Sequence, residues 1–343
     1  MRFPGFGGEW KTLFVDDVCP EFQSGKNIKA ENIKSEGLYP VYGGNGLRGY
    51  TDIYNHDGTY VLIGRQGALC GNVRLVEGRN YITEHAIAVS SSNEHCIYFL
   101  YYLFYKMNLG QYSDQSAQPG LAVNKLLRLK LHIPLKDEQT KIAKILTLLD
   151  TRIATQNKII EKLESRIKGL CQKLTLQGDS NTTLNECLEC YSSTLQENSV
   201  FEVGDFPVYG ATGVCGYTNT PEVNRDSILI IKDGASVGAT YYASGKYSAI
   251  GTLNSLVAKK GYSLRYLYYC LKVFNFAPYR TGLAIPHIYF KDYGKAQIWC
   301  PQFEEQCRIA SALEKVEQKI ATEKSLLEQL YSQKRFLLQE MLI

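Results

Sequence analysis

The chain has 343 residues, of which 45% are hydrophobic and 21% are charged, and its formal net charge at pH 7 is +4. These proportions are typical of a folded globular protein and exclude a largely disordered chain, and the length predicts two domains. The net charge is too small to indicate a polyanionic partner, so a nucleic-acid surface would have to come from local placement of cations.

The sequence also argues against a membrane or secreted protein. No apolar run approaches the roughly 20 residues of a membrane span. The start, MRFPGFGGEWK, lacks the apolar core of a signal peptide, so we expect a cytoplasmic protein whose ten cysteines are reduced. One Cys-x-x-Cys pair, Cys187 and Cys190, has no second pair or histidine cluster beside it, so we predict neither a metal site nor a cofactor.

Residues 1–136 are rich in Gly, Tyr, Val and Ile. Short strands are predicted at residues 60–63, 72–76 and 86–90, where apolar runs are cut by Gly and Asn, and a helix is predicted at 96–107. We therefore expect an α/β domain with an irregular, loop-rich sheet.

Residues 137–177 form a predicted long helix. Pro134 precedes it, Asp137 is the expected N-cap, and no proline interrupts it. Inward positions recur with alternating spacings of four and three, which is the heptad of a coiled coil. In the first helix these positions are Ile142, Leu146, Leu149, Ile153, Gln156, Ile160 and Leu163.

Residues 178–303 repeat the first domain at an offset of 167 positions. A strand is predicted at 227–231 and a helix at 264–274. The repeat is visible in three pairs of segments: YPVYGGNGLRGY (39–50) and FPVYGATGVCGY (206–217), VLIGRQGALCG (61–71) and ILIIKDGASVG (228–238), IPLKDEQTKIA (133–143) and CPQFEEQCRIA (300–310). A unit of this length is too long for a solenoid repeat and fits a whole domain plus a helix.

Residues 304–343 form the second predicted long helix, with the same heptad at the same offset. Its inward positions are Ile309, Leu313, Val316, Ile320, Glu323, Leu327 and Leu330. Either each helix packs on its own domain or, as the matched heptads favour, the two helices pair with each other. The order of segments favours an antiparallel coiled coil with pseudo-twofold symmetry and a domain at each end. The seam from Ile142 to Leu174 would be roughly 50 Å long, on the order of 15 base pairs of DNA.

Candidate DNA contacts are polar side chains in loops that glycine frames. Arg, Lys, Asn and Gln read base edges or hold phosphates, and hydroxyl groups help to fix register. In the first domain the candidates are Asn45, Arg48, Arg65, Gln66, Gln115, Ser116 and Gln118. In the second they are Thr212, Lys232, Asp233, Arg280, Thr281 and His287. Because both copies carry a cation at Arg65 and Lys232, this pair is predicted to contact phosphate.

Other polar residues are assigned to the core. His85 and Asn254 lie near aligned strands, where a satisfied core position is the expected role. No phosphate-binding Gly-rich loop, dinucleotide signature or nucleophile constellation was recognised. Three classes stay open on the residues alone: a two-headed DNA-binding protein, an enzyme such as a nuclease, and a non-catalytic adaptor for protein or glycan.

The chain resembles the specificity subunit of type I restriction–modification systems over essentially its whole length. The resemblance rests on RFPGFGGEWKTL, on the duplicated segments above, and above all on the Ile-Pro-Leu…Glu-Gln…Ile-Ala stretch that begins at Ile133. The second copy departs from the first in having LAIPHI (283–288) for SAQPGL (116–121) and Cys-Pro for Ile-Pro at Cys300.

This resemblance implies a DNA-recognition protein without catalysis of its own. Each domain would read one half of a split target in double-stranded DNA. The paired helices would set the gap and dock two methyltransferase subunits, with restriction subunits joining later. The methyl donor and ATP would belong to those partners, and no membrane is involved.

Overall fold

The computed structural model describes residues 2–114 and 119–342, which divide into two compact units. The first unit comprises residues 1–157 and 326–343, and the second comprises residues 158–325. Each unit is a mixed α/β domain to which both long helices contribute. The expected fold class, two similar α/β domains with long packing helices, is confirmed.

The first unit contains two four-stranded sheets and one two-stranded sheet. The strand orders are β2-β9-β6-β7, β4-β3-β8-β5 and β1-β10. The elements are β1 Lys11–Phe14, α1 Val15–Val18, β2 Phe22–Ser24, β3 Tyr39–Gly43, β4 Gly46–Thr51, β5 His56–Asp57, β6 Tyr60–Gly64, β7 Val73–Val76, β8 Arg79–Ile82, β9 Ala86–Val89, α2 Ile97–Met107, α3 Val123–Leu127, β10 Lys130–Ile133 and α4 Lys136–Thr175.

The second unit repeats this architecture in the same order. Its sheets are β12-β19-β16-β17, β14-β13-β18-β15 and β11-β20. The elements are β11 Thr182–Thr183, α5 Leu184–Cys187, β12 Leu188–Ser192, β13 Phe206–Gly210, β14 Gly213–Thr218, β15 Val223–Asn224, β16 Ser227–Ile231, β17 Thr240–Ala243, β18 Lys246–Ala249, β19 Leu253–Ala258, α6 Leu264–Val273, α7 Phe290–Tyr293, β20 Gln297–Ile298 and α8 Phe303–Met341.

The duplication extends to strand register. In each unit one parallel pair stands among antiparallel ones, with Val41 opposite Tyr81 in the first unit and Val208 opposite Ser248 in the second. A register shift follows each of these valines, in β3 and in β13. An irregularity kept at the same place in both copies is a structural feature of the scaffold.

The strand before each candidate loop is buried on both faces. In β6, Ile63 packs into the main core cluster and Leu62 into a second cluster on the opposite face. In β16, Ile230 and Leu229 divide in the same way. Alternation of side chains along a strand explains why an unbroken apolar run can fill two cores at once.

Two polar contacts attach each domain to a long helix. Gln139 at the start of α4 accepts the Cys96 N–H at 2.9 Å and donates to the Pro134 carbonyl at 2.9 Å. Farther along α4, the Tyr102 hydroxyl donates to Asp150 at 2.8 Å. Burial raises the pKa of Tyr102, so this hydroxyl stays a donor. These contacts bind α2 to α4 at two points within the first unit.

The second unit makes the same two attachments. Gln306 accepts the Ser263 N–H at 2.8 Å and donates to the Pro301 carbonyl at 2.8 Å, and the Tyr269 hydroxyl donates to Glu317 at 2.8 Å. The glutamine of the duplicated Glu-Gln segment therefore attaches the domain to its helix in both units. The glutamates before it have different partners: buried Glu138 pairs with Arg2 at 2.6 Å, and Glu305 pairs with Arg308.

The helix starts differ slightly from the sequence-based expectation. α4 begins at Lys136, so the expected N-cap, Asp137, lies inside the first turn. An acidic side chain there is favoured by the partial positive charge of the helix N-terminus. α8 begins at Phe303 and ends at Met341.

The predicted heptad positions are buried or partly buried, in two different environments. Ile142 and Leu146 lie in the core of the first unit, and Ile309 and Leu313 lie in the core of the second. Leu149, Ile153 and Leu330 form a separate cluster between α4 and α8 with Leu327 against it. The remaining positions are buried at Gln156, Ile160, Ile320 and Glu323. Leu163 and Val316 are partly buried against the core of the second unit.

Within each unit the two long helices run antiparallel. In the first unit Lys334 of α8 pairs with Asp150 of α4 at 2.5 Å. In the second, Lys324 pairs with Glu164 at 2.6 Å. A later residue of α8 thus meets an earlier residue of α4.

In the described part of the chain, none of the helices has the length and apolar character that a membrane span requires.

Candidate nucleic-acid interface

In the first unit, backbone hydrogen bonds fix the loop that carries Arg65. The Arg65 N–H donates to the His85 carbonyl at 2.9 Å, and the Arg65 carbonyl accepts from the Leu121 N–H at 2.9 Å. The Gly67 N–H donates to the Pro119 carbonyl at 3.0 Å. Three chain segments therefore meet where β6 ends, which makes a rigid base for exposed side chains.

Several predicted residues come together on this base. A cavity of about 310 Å³ is lined by Gly44, Asn45, Arg48, Gln66, Gly67 and His85. The His85 ring lies 3.1 Å from the Gln66 side-chain oxygen and 3.2 Å from the Glu84 carboxylate. This group of Asn45, Arg48, Gln66 and His85, the first-unit cluster, combines amide, guanidinium and imidazole donors suited to base edges or phosphates.

Two arginines carry the positive charge of this surface, Arg48 in the cluster and Arg65 beside it. The guanidinium groups of Arg48 and Arg65 make no hydrogen bond or ion pair with any described residue. Sequence reasoning missed a third arginine, Arg74 on β7. A Cβ atom placed on Gly46, whose φ is +100°, would lie 2.8 Å from the Arg74 guanidinium. The strand prediction at 72–76, which makes Arg74 an outward position, was the available signal.

The polar loop at residues 115–118 carries three further candidates of the first domain. Gln115, Ser116 and Gln118 lie outside the described residues. Asn45 is exposed in the turn between β3 and β4, as expected for a Gly-framed loop.

In the second unit the same backbone bonds recur. The Lys232 N–H donates to the Thr252 carbonyl at 3.0 Å, and its carbonyl accepts from the Ile288 N–H at 2.9 Å. The Gly234 N–H donates to the Pro286 carbonyl at 3.0 Å. The change from SAQPGL to LAIPHI therefore leaves the base of this loop as it is in the first unit.

The side chains on this base differ from those of the first unit. Asp233 accepts a 2.7 Å contact from the His287 ring, and the backbones of Thr281 and His287 exchange two hydrogen bonds. Asp233, Thr281 and His287 form the second-unit cluster. Arg280 lies at its edge and donates to the Val237 carbonyl at 3.1 Å. Thr212 is exposed in the β13–β14 turn.

Lys232 is half-buried and lies near Cys190. Burial raises the pKa of Cys190 to about 11, and the Lys232 ammonium opposes that rise. Lys232 and Arg65 occupy the same backbone position in the two units, and the Lys232 ammonium also acts electrostatically on the partly buried Cys190 thiol.

Asn254 and His85, which the sequence places in the core, differ in burial. Asn254 is 5% exposed and accepts a hydrogen bond from the Ser192 hydroxyl at 2.9 Å, so it is a satisfied core residue. The same expectation is wrong for His85, whose side chain is 44% exposed. His85 follows β8 by three residues and belongs to a loop, so its side chain is free to reach Gln66 on the surface.

No group of three or more His, Cys, Asp or Glu that could hold a metal ion occurs in the described ranges. The Cys-x-x-Cys pair does not act as a unit, because the Cys187 sulfur faces Cys300. All ten cysteines are free thiols.

Fold and surface together define a duplicated two-domain protein, with one loop scaffold used twice and different polar side chains on each copy. Family comparison gives the particular class. The model of the type I restriction modification DNA specificity domain matches residues 7–165 and again residues 190–332. The chain belongs to this family and carries its domain twice, as the sequence resemblance indicated.

Individual relatives of the chain are specificity subunits as well. The chain is 46% identical over 170 residues to the type I restriction enzyme EcoprrI specificity subunit of Escherichia coli, a match that covers 48% of this chain and 40% of the relative. It is 24% identical over 346 residues to a putative type I specificity subunit of Haemophilus influenzae, covering 90% of this chain and 87% of the relative.

A solved structure has the same fold. The type I restriction–modification S subunit from M. genitalium matches with a TM-score of 0.76 at 20% identity, over 100% of this chain and 99% of that one. The duplicated architecture is therefore that of a specificity subunit.

Proposed function

We propose that the chain is the sequence-specific DNA-binding subunit of a type I restriction–modification complex, with each domain reading one half of a split duplex target. The observation that carries the proposal is the constant loop base under variable side chains. Arg65 and Lys232 make equivalent backbone bonds, whereas Gln66 and Asp233, at the next position, differ in chemistry. One scaffold with two sets of donors and acceptors suits the reading of two different half-sites.

Direct reading and phosphate contact are assigned to different residues. Arg48, Gln66 and Asn45 in the first domain are the proposed base readers, because these groups make bidentate contacts with purines. Asp233 in the second presents acceptors, which suit the amino group of cytosine or adenine. Arg65 and Lys232 are proposed to hold phosphates.

The long helices are proposed to set the length of the gap between half-sites. Support comes from the fastening of each domain to a helix by a buried glutamine and a tyrosine–carboxylate pair. A domain fixed at two points must follow its helix when the helix length changes.

The same helices are proposed to dock two methyltransferase subunits, one for each copy of the repeat, with restriction subunits joining the full complex. Large apolar side chains that are exposed on α4 and α8 support a protein partner. They are Leu148, Ile159, Phe303, Leu326, Tyr331 and Phe336. Catalysis, the methyl donor and ATP are assigned to the partners, and the complex is expected to act in the cytoplasm.

The test is a methylome. The chain is co-expressed with its candidate methyltransferase subunit in a host without DNA methylation, and modified bases are mapped by single-molecule sequencing. We expect two short specific blocks around a fixed unspecified gap. As a control, the methyltransferase subunit is paired with a different specificity chain known to direct it. If that control is active and this chain gives no methylation, DNA recognition by this chain is contradicted.

A second measurement separates DNA recognition from an adaptor role. Binding of the full chain with its methyltransferase partner to duplex DNA should weaken as salt rises, because phosphate contacts release counterions. Binding that does not change with salt would favour an adaptor for protein or glycan.

A further inference from the structure

Two buried cysteines of the second unit face each other across its core. Cys187 ends α5 and is 0% exposed, and Cys300 stands just before α8 and is 7% exposed. Their sulfur atoms are 4.0 Å apart and share a hydrogen bond. The first unit has Val18 at the end of α1 and Ile133 before α4, so an apolar pair there is replaced by two thiols in the second unit.

The surroundings hold both cysteines in place. The Asn181 side chain accepts the Cys300 N–H at 2.8 Å and donates to the Cys300 carbonyl at 2.7 Å. The Thr182 hydroxyl lies 3.7 Å from the Cys187 sulfur. Two sulfurs at contact distance on fixed backbones need little movement to bond, since a disulfide requires close approach of the two side chains.

The two thiols are also coupled as acids. The hydrogen bond from Cys300 lowers the pKa of Cys187, and the same contact raises the pKa of Cys300. The pair therefore gives up its first proton more readily than an isolated buried thiol does, and it holds the second. The thiolate is the reactive form of cysteine.

We propose that Cys187 and Cys300 are an oxidisable dithiol, a modification site at which a small hydroperoxide produces an intramolecular disulfide. Access is from the surface beside Cys300. A groove of about 840 Å³ is lined by Cys300 together with Thr182, Tyr262, Phe303 and Gln306 among others. Because Cys300 lines this groove and is 7% exposed, the groove is the proposed route by which a molecule the size of hydrogen peroxide reaches the pair.

The reaction takes two steps. The Cys300 proton passes along the shared hydrogen bond to the Cys187 thiolate, the Cys300 sulfur attacks a peroxide oxygen, and the O–O bond breaks. The leaving hydroxide takes a proton from solvent as water, and Cys300 is a sulfenic acid. The Cys187 sulfur then loses its proton and attacks the Cys300 sulfur, the S–O bond breaks, and the leaving hydroxide becomes the second water. Two thiols are oxidised to one disulfide, and one hydroperoxide is reduced.

The disulfide would join the two ends of the second domain. Cys300 follows Cys187 by 113 positions, so the bond closes a loop that contains most of the second domain. Closing a long loop restricts the unfolded chain and stabilises the folded one. With Val18 and Ile133 at the corresponding places, the first domain has no equivalent bond.

The test uses the full chain. Purified protein is treated with hydrogen peroxide, remaining thiols are alkylated, and the non-reduced digest is examined by mass spectrometry. We expect a peptide pair cross-linked through Cys187 and Cys300, lost on treatment with dithiothreitol. Exposed Cys307 serves as an internal marker that oxidation has taken place. A digest in which Cys307 is oxidised and no such cross-link occurs overturns the proposal, as does a cross-link of Cys300 to Cys270.

The matched control is the double variant Cys187→Val, Cys300→Ile, which copies the pair of the first unit and is expected to fold. Oxidised wild type should unfold at a higher temperature than reduced wild type. The double variant should show no difference between the two conditions. An equal upward shift in the variant would assign the stabilisation to other cysteines and overturn the role of this pair.

Discussion

The two loop surfaces have the same backbone hydrogen bonds and differ in charge. Where the first unit has Arg48, Arg65 and Arg74, the second has Cys215, Lys232 and Tyr241 at positions 167 later. The backbone bonds that hold the loops have equal lengths within 0.1 Å for the compared pairs, such as 2.9 Å from Arg65 and 3.0 Å from Lys232. The loop conformation is thus set by backbone bonds and glycine, which leaves the side chains free to change specificity.

The attachments to the helices show the opposite pattern. Gln139 and Gln306 are the same residue type and make the same two backbone contacts, and the tyrosine–carboxylate pair is kept with Glu317 in place of Asp150. A buried amide that must satisfy one N–H and one carbonyl has few substitutes. The side chains therefore vary more on the loop surfaces than at the points where a domain meets its helix.

The largest expected effect comes from lengthening the helices. Seven residues inserted after Gln156 and seven after Glu323 keep the heptad and add about 10 Å. The recognised gap should grow by about 3 base pairs, and methylation at the original sites should be lost while both half-sites stay the same. The methylome measures this change. An insertion in one helix alone is the control, and it should abolish methylation because it breaks the helix pairing. An unchanged gap in the double insertion contradicts the proposal that the helices set the gap.

The two cores should be equally sensitive to truncation. Leu146→Ala and Leu313→Ala remove aligned side chains that are 0% and 1% exposed. Each should cost about 3 kcal/mol, measured by urea unfolding. Trp10 reports on the first unit and Trp299 on the second, so a Trp→Phe change in either isolates the other signal. Leu148→Ala at an exposed position is the control, with an expected change below about 0.5 kcal/mol.

A smaller effect is expected at the glutamine attachments. Gln139→Ala leaves the Cys96 N–H and the Pro134 carbonyl without their partner, at a cost of about 1–3 kcal/mol. Gln306→Ala should do the same at Ser263. Hydrogen exchange at the two amide groups is the direct measurement, and each should exchange faster in its own variant only. Unchanged protection in both would mean that the glutamines do not fasten the domains; Gln172→Ala, at an exposed helical site, is the control.

Much of the fold could be predicted because the relevant signals are local or periodic. The internal repeat indicated two similar domains, and the heptads indicated two long helices. The strand at 227–231 and the helix at 264–274 agree with β16 and α6. These features depend on apolar spacing and on glycine, which a single sequence displays directly.

The rest depended on contacts between distant segments. His85 lies near a strand, a position that favours the core, yet its ring reaches Gln66 on the surface. Arg74 was missed because its position over Gly46 joins β7 to a different sheet. The division of the heptads between domain cores and the helix cluster, with Ile142 in one and Leu149 in the other, follows from where each domain sits on its helix. Periodicity carries no information on that point.

The smallest expected effect comes from exchanging one side chain between the two copies. Arg74→Tyr gives the first unit the residue of the second, where the Tyr241 hydroxyl donates to the Ala211 carbonyl at 3.0 Å. The variant should fold, because the aligned strand accepts tyrosine. If Arg74 holds a phosphate, the slope of log affinity against log salt should fall by about 1, with the same motif recognised. Arg74→Lys keeps the charge and should keep the slope. A loss confined to one base pair would instead make Arg74 a base reader, since only direct contact with a base edge discriminates among sequences.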